Sequence, residues 1–395
     1  MKYCYLFDID LIERSTYPTF PKLPNHALMK FSAYYKEKGY QVVLVHDVNL
    51  IPLNYNEENL YIGSALYSGN LERFKKRLKN RVNFKNGLKL HHIKIGTPLD
   101  TCPITDLEGL KCDYSEYDKM IEETGKKLDW YPTNVGFLTR GCYRHCDFCV
   151  NRNKDKITRV NNLEDIYVHK GLDIELLDDN LFSSDDAVEL FYDIGKFARM
   201  EDVNFHLRNG LDLRTAPDDK IKALQYASVA FSRLHCAWDM VKNTFIFRNL
   251  MKVNKNVNGV TFVCYMIAGV HIHTEEELRE DLLGLFYRYF LLRKIGAEPY
   301  IALFEDDTEQ YKNPYWHLYK TIKRQYAFQK QSKLQYLKRR LPLKQVKLAD
   351  KTIEILGEFS WLVEMNTGEV LALPDFNERF KKIADEIGVK HYDVD

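Results

Sequence analysis

The sequence predicts an α/β fold in three parts. These are a Rossmann-like N-terminal domain, a partial (β/α)6 TIM-type barrel and a small C-terminal extension. Three observations carry this. Strand-like apolar segments alternate with stretches of helical periodicity from the first residues to about position 305, the pattern of parallel sheets covered by helices. Six of those segments recur near 134, 172, 203, 230, 260 and 299, a spacing suited to successive strand–helix units. The chain has 395 residues, more than one typical domain. The expected boundaries are 1–132, 133–310 and 311–395.

The N-terminal part opens on an apolar strand at 3–9. Residues 25–38 follow as a helix with Leu28, Phe31 and Tyr35 on one stripe, and Gly39 ends it where a left-handed residue is cheapest. Val42-Val43-Leu44-Val45 reads as a buried strand and 60–66 as a third. No G-x-G-x-x-G accompanies these strands, so dinucleotide binding is poorly supported. A connector at 101–132 holds Cys102 and Cys112, two thiols too few for a cluster of their own. Within the barrel region, Ser183-x-x-Asp186 and Thr274-x-x-Glu277 are start signals for helices with apolar residues at helical spacing. Beyond 306, residues 355–373 read as short strands around the turn Asn366-Thr367-Gly368, and 377–387 as a closing helix.

Composition sets the class. Apolar content of 45% is ordinary for a soluble globular chain. No run of eighteen apolar residues exists: the nearest, 282–292, is interrupted by Arg288, so no membrane partner is expected. The start Met1-Lys2-Tyr3-Cys4 lacks the shape of a signal peptide. Eight cysteines, three of them packed into one short loop, fit a reducing compartment, and the expected location is cytoplasmic.

That loop is Gly141-Cys142-Tyr143-Arg144-His145-Cys146-Asp147-Phe148-Cys149. The spacing Cys-x-x-x-Cys-x-x-Cys lets three thiolates converge on one face of an iron–sulfur cube, leaving one iron open. A structural zinc site would need a fourth ligand close by, and the next cysteine, Cys236, lies 87 residues on. A structural iron–sulfur or zinc knuckle and three buried thiols remain the other readings of these residues.

With its aromatic Phe148 before the third cysteine, the loop resembles the signature of radical S-adenosylmethionine (SAM) enzymes. That resemblance implies that Cys142, Cys146 and Cys149 hold a 4Fe-4S cluster whose open iron chelates SAM. It implies reductive cleavage of SAM to a 5′-deoxyadenosyl radical, with an electron donor such as flavodoxin or ferredoxin. The likeness covers 134–305 well and 1–133 more weakly, where it resembles members with a cobalamin-binding-like domain. The cobalamin fingerprint Asp-x-His-x-x-Gly is absent, so cobalamin is not favoured and a scaffold shaping the mouth of the site is the preferred reading.

Chemistry in such barrels sits at the C-terminal strand ends, which selects the remaining candidates. Asp178-Asp179-Asn180 follows the second strand; adjacent carboxylates there suit a cationic ligand such as the SAM amino group, or cap a helix. Arg208 after the third strand can pair with a carboxylate or lie on the surface. Asp239 after the fourth can hold ribose hydroxyls or cap the next helix, and Gly269 after the fifth resembles the adenine motif. His271 and His273 follow as loop histidines, and Cys236 and Cys264 are core thiols or hydrogen donors.

A last segment, 320–347, carries ten Lys or Arg residues and no carboxylate, interleaved with Tyr326, Phe328 and Tyr336. It reads as a site for RNA or DNA, or as a solvated basic helix. The resulting expectation is a radical SAM enzyme modifying an unidentified, nucleic-acid or other, substrate. The alternatives are a cobalamin-dependent radical SAM methyltransferase and a non-catalytic nucleic-acid-binding protein with a structural metal cluster.

Overall fold

A computed structural model of the chain describes residues 1–13, 23–65, 68–81, 88–95, 107, 109–125, 128, 131–149, 154–303, 314–327 and 343–394. Cys102, the expected boundary at 310 and the middle of the basic segment, 328–342, lie outside the described residues. The fold is mixed α/β with parallel sheets. It divides into two units, Met1–Arg140 with Arg159–Asp178 and Met200–Phe205, and Gly141–Thr158 with Asp179–Arg199 and His206–Asp395.

In the first unit, β1 (Tyr3–Asp8), α1 (His26–Glu37), β2 (Gln41–Val45), β3 (Leu60–Ser64), α2 (Ser68–Arg81) and β4 (Lys94–Ile95) build a four-stranded parallel sheet in the order β2-β1-β3-β4. Asn25 caps α1 by accepting from the backbone N–H of Leu28, and Gly39 follows its end at φ +82°. The sheet is buried on both faces. Leu6, Leu28, Phe31 and Leu44 pack on one side with Tyr117 of α3 (Ser115–Thr124), and Phe7, Val45, Phe74 and Leu78 on the other. The near-continuous apolar strands at 3–9 and 42–45 follow from that double burial. The unit also holds β5 (Asn134–Gly136) and β6 (Ile174–Leu176), paired in parallel.

Strand and helix alternate through the second unit, as α4 (Ala187–Glu201), β7 (Phe205–Leu211), α5 (Asp218–Ala227), β8 (Arg233–Ala237), α6 (Phe245–Asn256), β9 (Thr261–Ala268), α7 (Glu275–Lys294) and β10 (Glu298–Leu303). The larger sheet runs β10-β9-β8-β7-β6-β5, each strand beside its predecessor in sequence. The pairs β7–β8, β8–β9 and β9–β10 are parallel. All six segments anticipated from the sequence are strands of this one sheet. Thr274 and Glu277 cap α7 reciprocally, as their spacing implies.

Helix α7 fastens two strand ends. Arg288 is 2% exposed; its guanidinium donates to the carbonyls of Trp238 (2.7 Å), Asp239, Ile267 (3.2 Å) and Gly284 (3.0 Å). Two turns earlier on the helix, Asp281 accepts from the Gly269 N–H at 3.1 Å and from the Tyr319 hydroxyl. Burial pulls the Arg288 pKa down and pushes that of Asp281 up, and each charge opposes the shift of the other. A guanidinium fits here because four carbonyls need a forked, permanently charged donor.

The C-terminal region departs from the expectation of short strands. Residues 355–373 are helical, formed by the end of α9 (Leu343–Leu356), which follows α8 (Trp316–Ala327), and the short helices Trp361–Glu364 and Thr367–Leu371, with α10 (Phe376–Glu386) closing the chain. Asn366 is a helix cap here: its side chain accepts from Glu369 N–H, and Glu369 accepts from Asn366 N–H. Among the described residues no helix is long and apolar enough to cross a membrane.

Arg288→Met removes donors from four carbonyls, two of them buried, and leaves Asp281 without its opposing charge. The expected loss is about 3–5 kcal/mol, seen as a lower urea midpoint, with Arg288→Lys recovering only part of it. A Met variant with the wild-type midpoint would contradict the role assigned to this residue.

Candidate functional site

A cavity of about 300 Å³ opens in the second unit at the C-terminal ends of β7 and β8. Cys142, Cys146 and Cys149 all line it, together with Phe148, Asp179, Asn180, Asp239 and Tyr265. Seven of the residues singled out from the sequence therefore share one wall.

The cysteine loop is held there from several sides. Gly141 sits at φ +102°, and a Cβ on it would come within 2.0 Å of the Lys156 carbonyl oxygen, so only glycine fits. Its N–H donates to Asp179 Oδ2 at 2.8 Å, and Lys154 Nζ reaches the same oxygen at 2.8 Å. The Asp179 carboxylate thus ties the loop down while lining the cavity.

The strongest fastening comes from residues the sequence reading passed over. Asp212 accepts from Arg144 Nε at 2.5 Å, Arg214 Nε at 2.8 Å, Asn180 Nδ2 at 3.3 Å and Ser183 Oγ at 3.2 Å. Burial raises its pKa, but Arg214 and Arg144 outweigh burial and hold the carboxyl below its usual range. The Arg214 guanidinium also lies 3.6 and 3.7 Å from Cys146 Sγ, and Asn180 Nδ2 lies 3.4 Å from Cys142 Sγ. No local pattern marks Asp212 or Arg214. The one signal in the sequence is their place just beyond the third strand, where the strand-end rule applies.

β7 delivers them by an irregularity. Leu207 pairs with Leu234 and Leu211 with Cys236, so extra residues bulge from β7 between the two pairings. Gly210, at φ +94°, permits the bend, and Asn209 to Asp212 reach the cavity wall.

Other expected residues lie elsewhere. Asp178 is fully buried in the first unit, where its carboxylate accepts from the N–H groups of Leu138 (3.1 Å) and Thr139 (2.5 Å) and the Thr139 hydroxyl (2.7 Å). It does not line the cavity; the alternation of neighbours after a strand turns Asp178 and Asp179 apart. Arg208 and Gly269 are also not among the cavity-lining residues, and the Gly269 N–H is bound to Asp281. Asp239 lines the cavity, its pKa raised by burial against the pull of Arg288, and does not cap α6, which begins behind Thr244. His273 donates its N–H to Glu277 at the start of α7. Cys236 and Cys264 are fully buried neighbours on β8 and β9, as core thiols.

Among the described residues, no three His, Cys, Asp or Glu side chains are gathered into a metal-ligand set. The chemistry of the cavity wall nonetheless fits the implied groups. Its thiols are soft donors with N–H groups at two of the sulfurs. Asn180 Oδ1 is a buried acceptor without a hydrogen-bond partner in this wall, which suits a ligand N–H.

No family model matches the chain, and no curated protein matches it. One solved structure with a similar chain path is the radical S-adenosylmethionine methyltransferase TsrM from Kitasatospora setae, with tryptophan substrate and the SAM analogue aza-SAM bound. The two are 12% identical at a TM-score of 0.44, over 71% of this chain and 70% of that one. A similarity of that degree does not bear on function.

Asp178 gives the first unit a pH signature. Burial, outweighing its three donors, raises its pKa from 3.8 to about 6. The folded state then keeps a proton that the unfolded chain has released, so this contribution to stability is present at about pH 4 and is lost as pH rises to about 6. Asp178→Asn, neutral throughout, is expected to show a shallower fall in urea stability over that window. Parallel curves for variant and wild type would remove the assignment.

Proposed function

We propose that the protein is a radical SAM enzyme, with Cys142, Cys146 and Cys149 as the protein ligands of a 4Fe-4S cluster. The observation that carries this reading is that all three thiols of the Cys-x-x-x-Cys-x-x-Cys loop line one cavity beside Asp179, Asn180 and Asp239. The reading takes the six strands in sequential order as an open, partial (β/α)6 barrel with the cavity at its C-terminal rim. When bound, the cluster and SAM supply radical chemistry by reductive cleavage of the sulfonium.

The chain's own part is binding, orientation and exclusion of water. Arg214 and Asn180 direct N–H groups at Cys146 and Cys142, orienting both sulfurs in the wall. Asn180 Oδ1 and the Asp179 carboxylate offer acceptors for the SAM amino group. Asp239, held in place through its own backbone carbonyl by Arg288, is the acceptor for ribose hydroxyls. Phe148 and Ile246 close the wall with apolar surface. A low-potential one-electron donor of the flavodoxin or ferredoxin kind completes the system.

Anaerobic reconstitution is expected to load about four irons per chain and to yield 5′-deoxyadenosine from SAM and a strong reductant. Alanine at Cys142, Cys146 or Cys149 should abolish that product. Release of 5′-deoxyadenosine by any of the three variants would overturn the ligand assignment. Gly141→Ala keeps every ligand but drives a Cβ into the Lys156 carbonyl, so it is expected to retain well under half of the wild-type iron. Full iron loading by that variant would show that the loop geometry is not needed.

A further inference from the structure

The larger sheet has two unlike faces. Leu207, Leu234, Cys236, Phe262, Cys264 and Met266 are at most 1% exposed beneath the helices. On the alternate positions His206, Arg208, His235 and Tyr265 are only half-buried, and Tyr300 is 43% exposed. Three of these rings form a continuous row across β8, β9 and β10. His235 stacks on Tyr265 at 5.4 Å and 13°, and Tyr265 meets Tyr300, its partner in register, edge to face at 5.3 Å.

The row leads into the cavity. Tyr265 lines the cavity directly, and its partner in register on β8, Ala237, also in the wall, is small enough to leave space above it. Cations lie along the row. Lys323 Nζ lies 5.2 Å over the Tyr300 ring, and Arg208, Arg233 and His206 are close enough to His235 to act on its charge. Glu298 is paired with Arg233 at 3.5 Å, and Asp239 shares the cavity wall with Tyr265. His235 Nδ1 is 3.1 Å from the Leu207 carbonyl, so that nitrogen carries the proton and Nε2 is left as an acceptor.

Stacking rings, a hydrogen-bond acceptor and surrounding cations are three different demands on a ligand. An apolar segment uses only the rings, and an acidic peptide only the cations. A nucleotide uses all three: a planar base, base N–H groups and a phosphate. We propose that the His235–Tyr265–Tyr300 row is the binding surface for a nucleotide, free or within a single strand, with the base on the rings and the phosphate toward Arg208 and Lys323. This names the substrate class of the proposed enzyme and rests on that reading for the word substrate, but not for the binding.

The test uses AMP, GMP, CMP and UMP as probes, each titrated by saturation-transfer NMR. The full chain is taken both reconstituted, with saturating S-adenosylhomocysteine, and iron-free. At least one monophosphate is expected to bind both forms, more tightly than its nucleoside. Tyr265→Leu and Tyr300→Leu should each weaken it about tenfold, while Tyr300→Phe, which keeps the ring, stays close to wild type. Absence of binding by all four probes overturns the proposal. So does indifference to both Leu variants, or free tryptophan binding as tightly as the best nucleotide. Nucleotide binding without 5′-deoxyadenosine production would sink the radical SAM reading and leave this surface standing. SAM cleavage without nucleotide binding would do the reverse.

Discussion

The cavity wall depends on one buried carboxylate, that of Asp212. An ionised carboxylate taken out of water is costly unless it is paired and fully hydrogen-bonded. Here two guanidiniums, an amide and a hydroxyl converge on it, and the balance leaves it charged. Each partner is thereby placed for something else. Arg144 lies between the first two cysteines, so its bond to Asp212 holds the loop between Cys142 and Cys146 against the strand end. Arg214 turns its remaining donors on Cys146, and Asn180 its amide on Cys142. A single anion therefore sets the positions of two sulfurs and of the polar wall between them.

Why this hub was invisible in the sequence is a matter of range. The cysteine loop is read from eight consecutive residues, and its placement on the cavity followed. The six strands were legible because each is a short apolar run bounded by helical periodicity, and the parallel sheet places them in sequential order. Asp212 meets Arg144 across 68 positions, and no periodicity encodes such a pairing. Asp178 and Asp179 show the complementary failure. They are adjacent and chemically identical, yet one carboxylate points into backbone N–H groups and the other toward the cavity. At the C-terminus, Asn366-Thr367-Gly368 suits a strand turn by composition. The deciding residue was Glu369, whose carboxylate completes a capping box and turns the same Asn into a helix start.

Arg288 was legible only as an interruption of an apolar stretch. Its function as a fastener depends on tertiary geometry, because the carbonyls it collects come from two strand ends and its own helix. The rest of α7 from Leu282 to Leu292 is buried on every side, so nothing but a paired charge is tolerated there. Asp281, on the same helix, supplies that opposing charge and pins Gly269 at the next strand end. The helix acts as a ruler for the rim, fixing the backbone at Trp238–Asp239 and at Ile267–Gly269 relative to each other.

The two-residue period of a strand then separates core from chemistry within each strand. In β8, Cys236 points beneath the sheet while His235 and Ala237 lie on the opposite face; in β9, Cys264 does so while Tyr265 faces outward. That alternation decides between the two readings of these thiols. Cys264 is fully buried, its pKa is driven up by burial with Cys236 adding to the rise, and its helix-side position removes it from any group bound on the open face. The open face carries rings and cations instead. A one-residue slip in register would exchange the two sets, placing sulfur in the cavity and imidazole in the core. The apolar run Phe262, Cys264, Met266 opposes that slip, since in either direction two of these three side chains would leave a buried position for a half-exposed one.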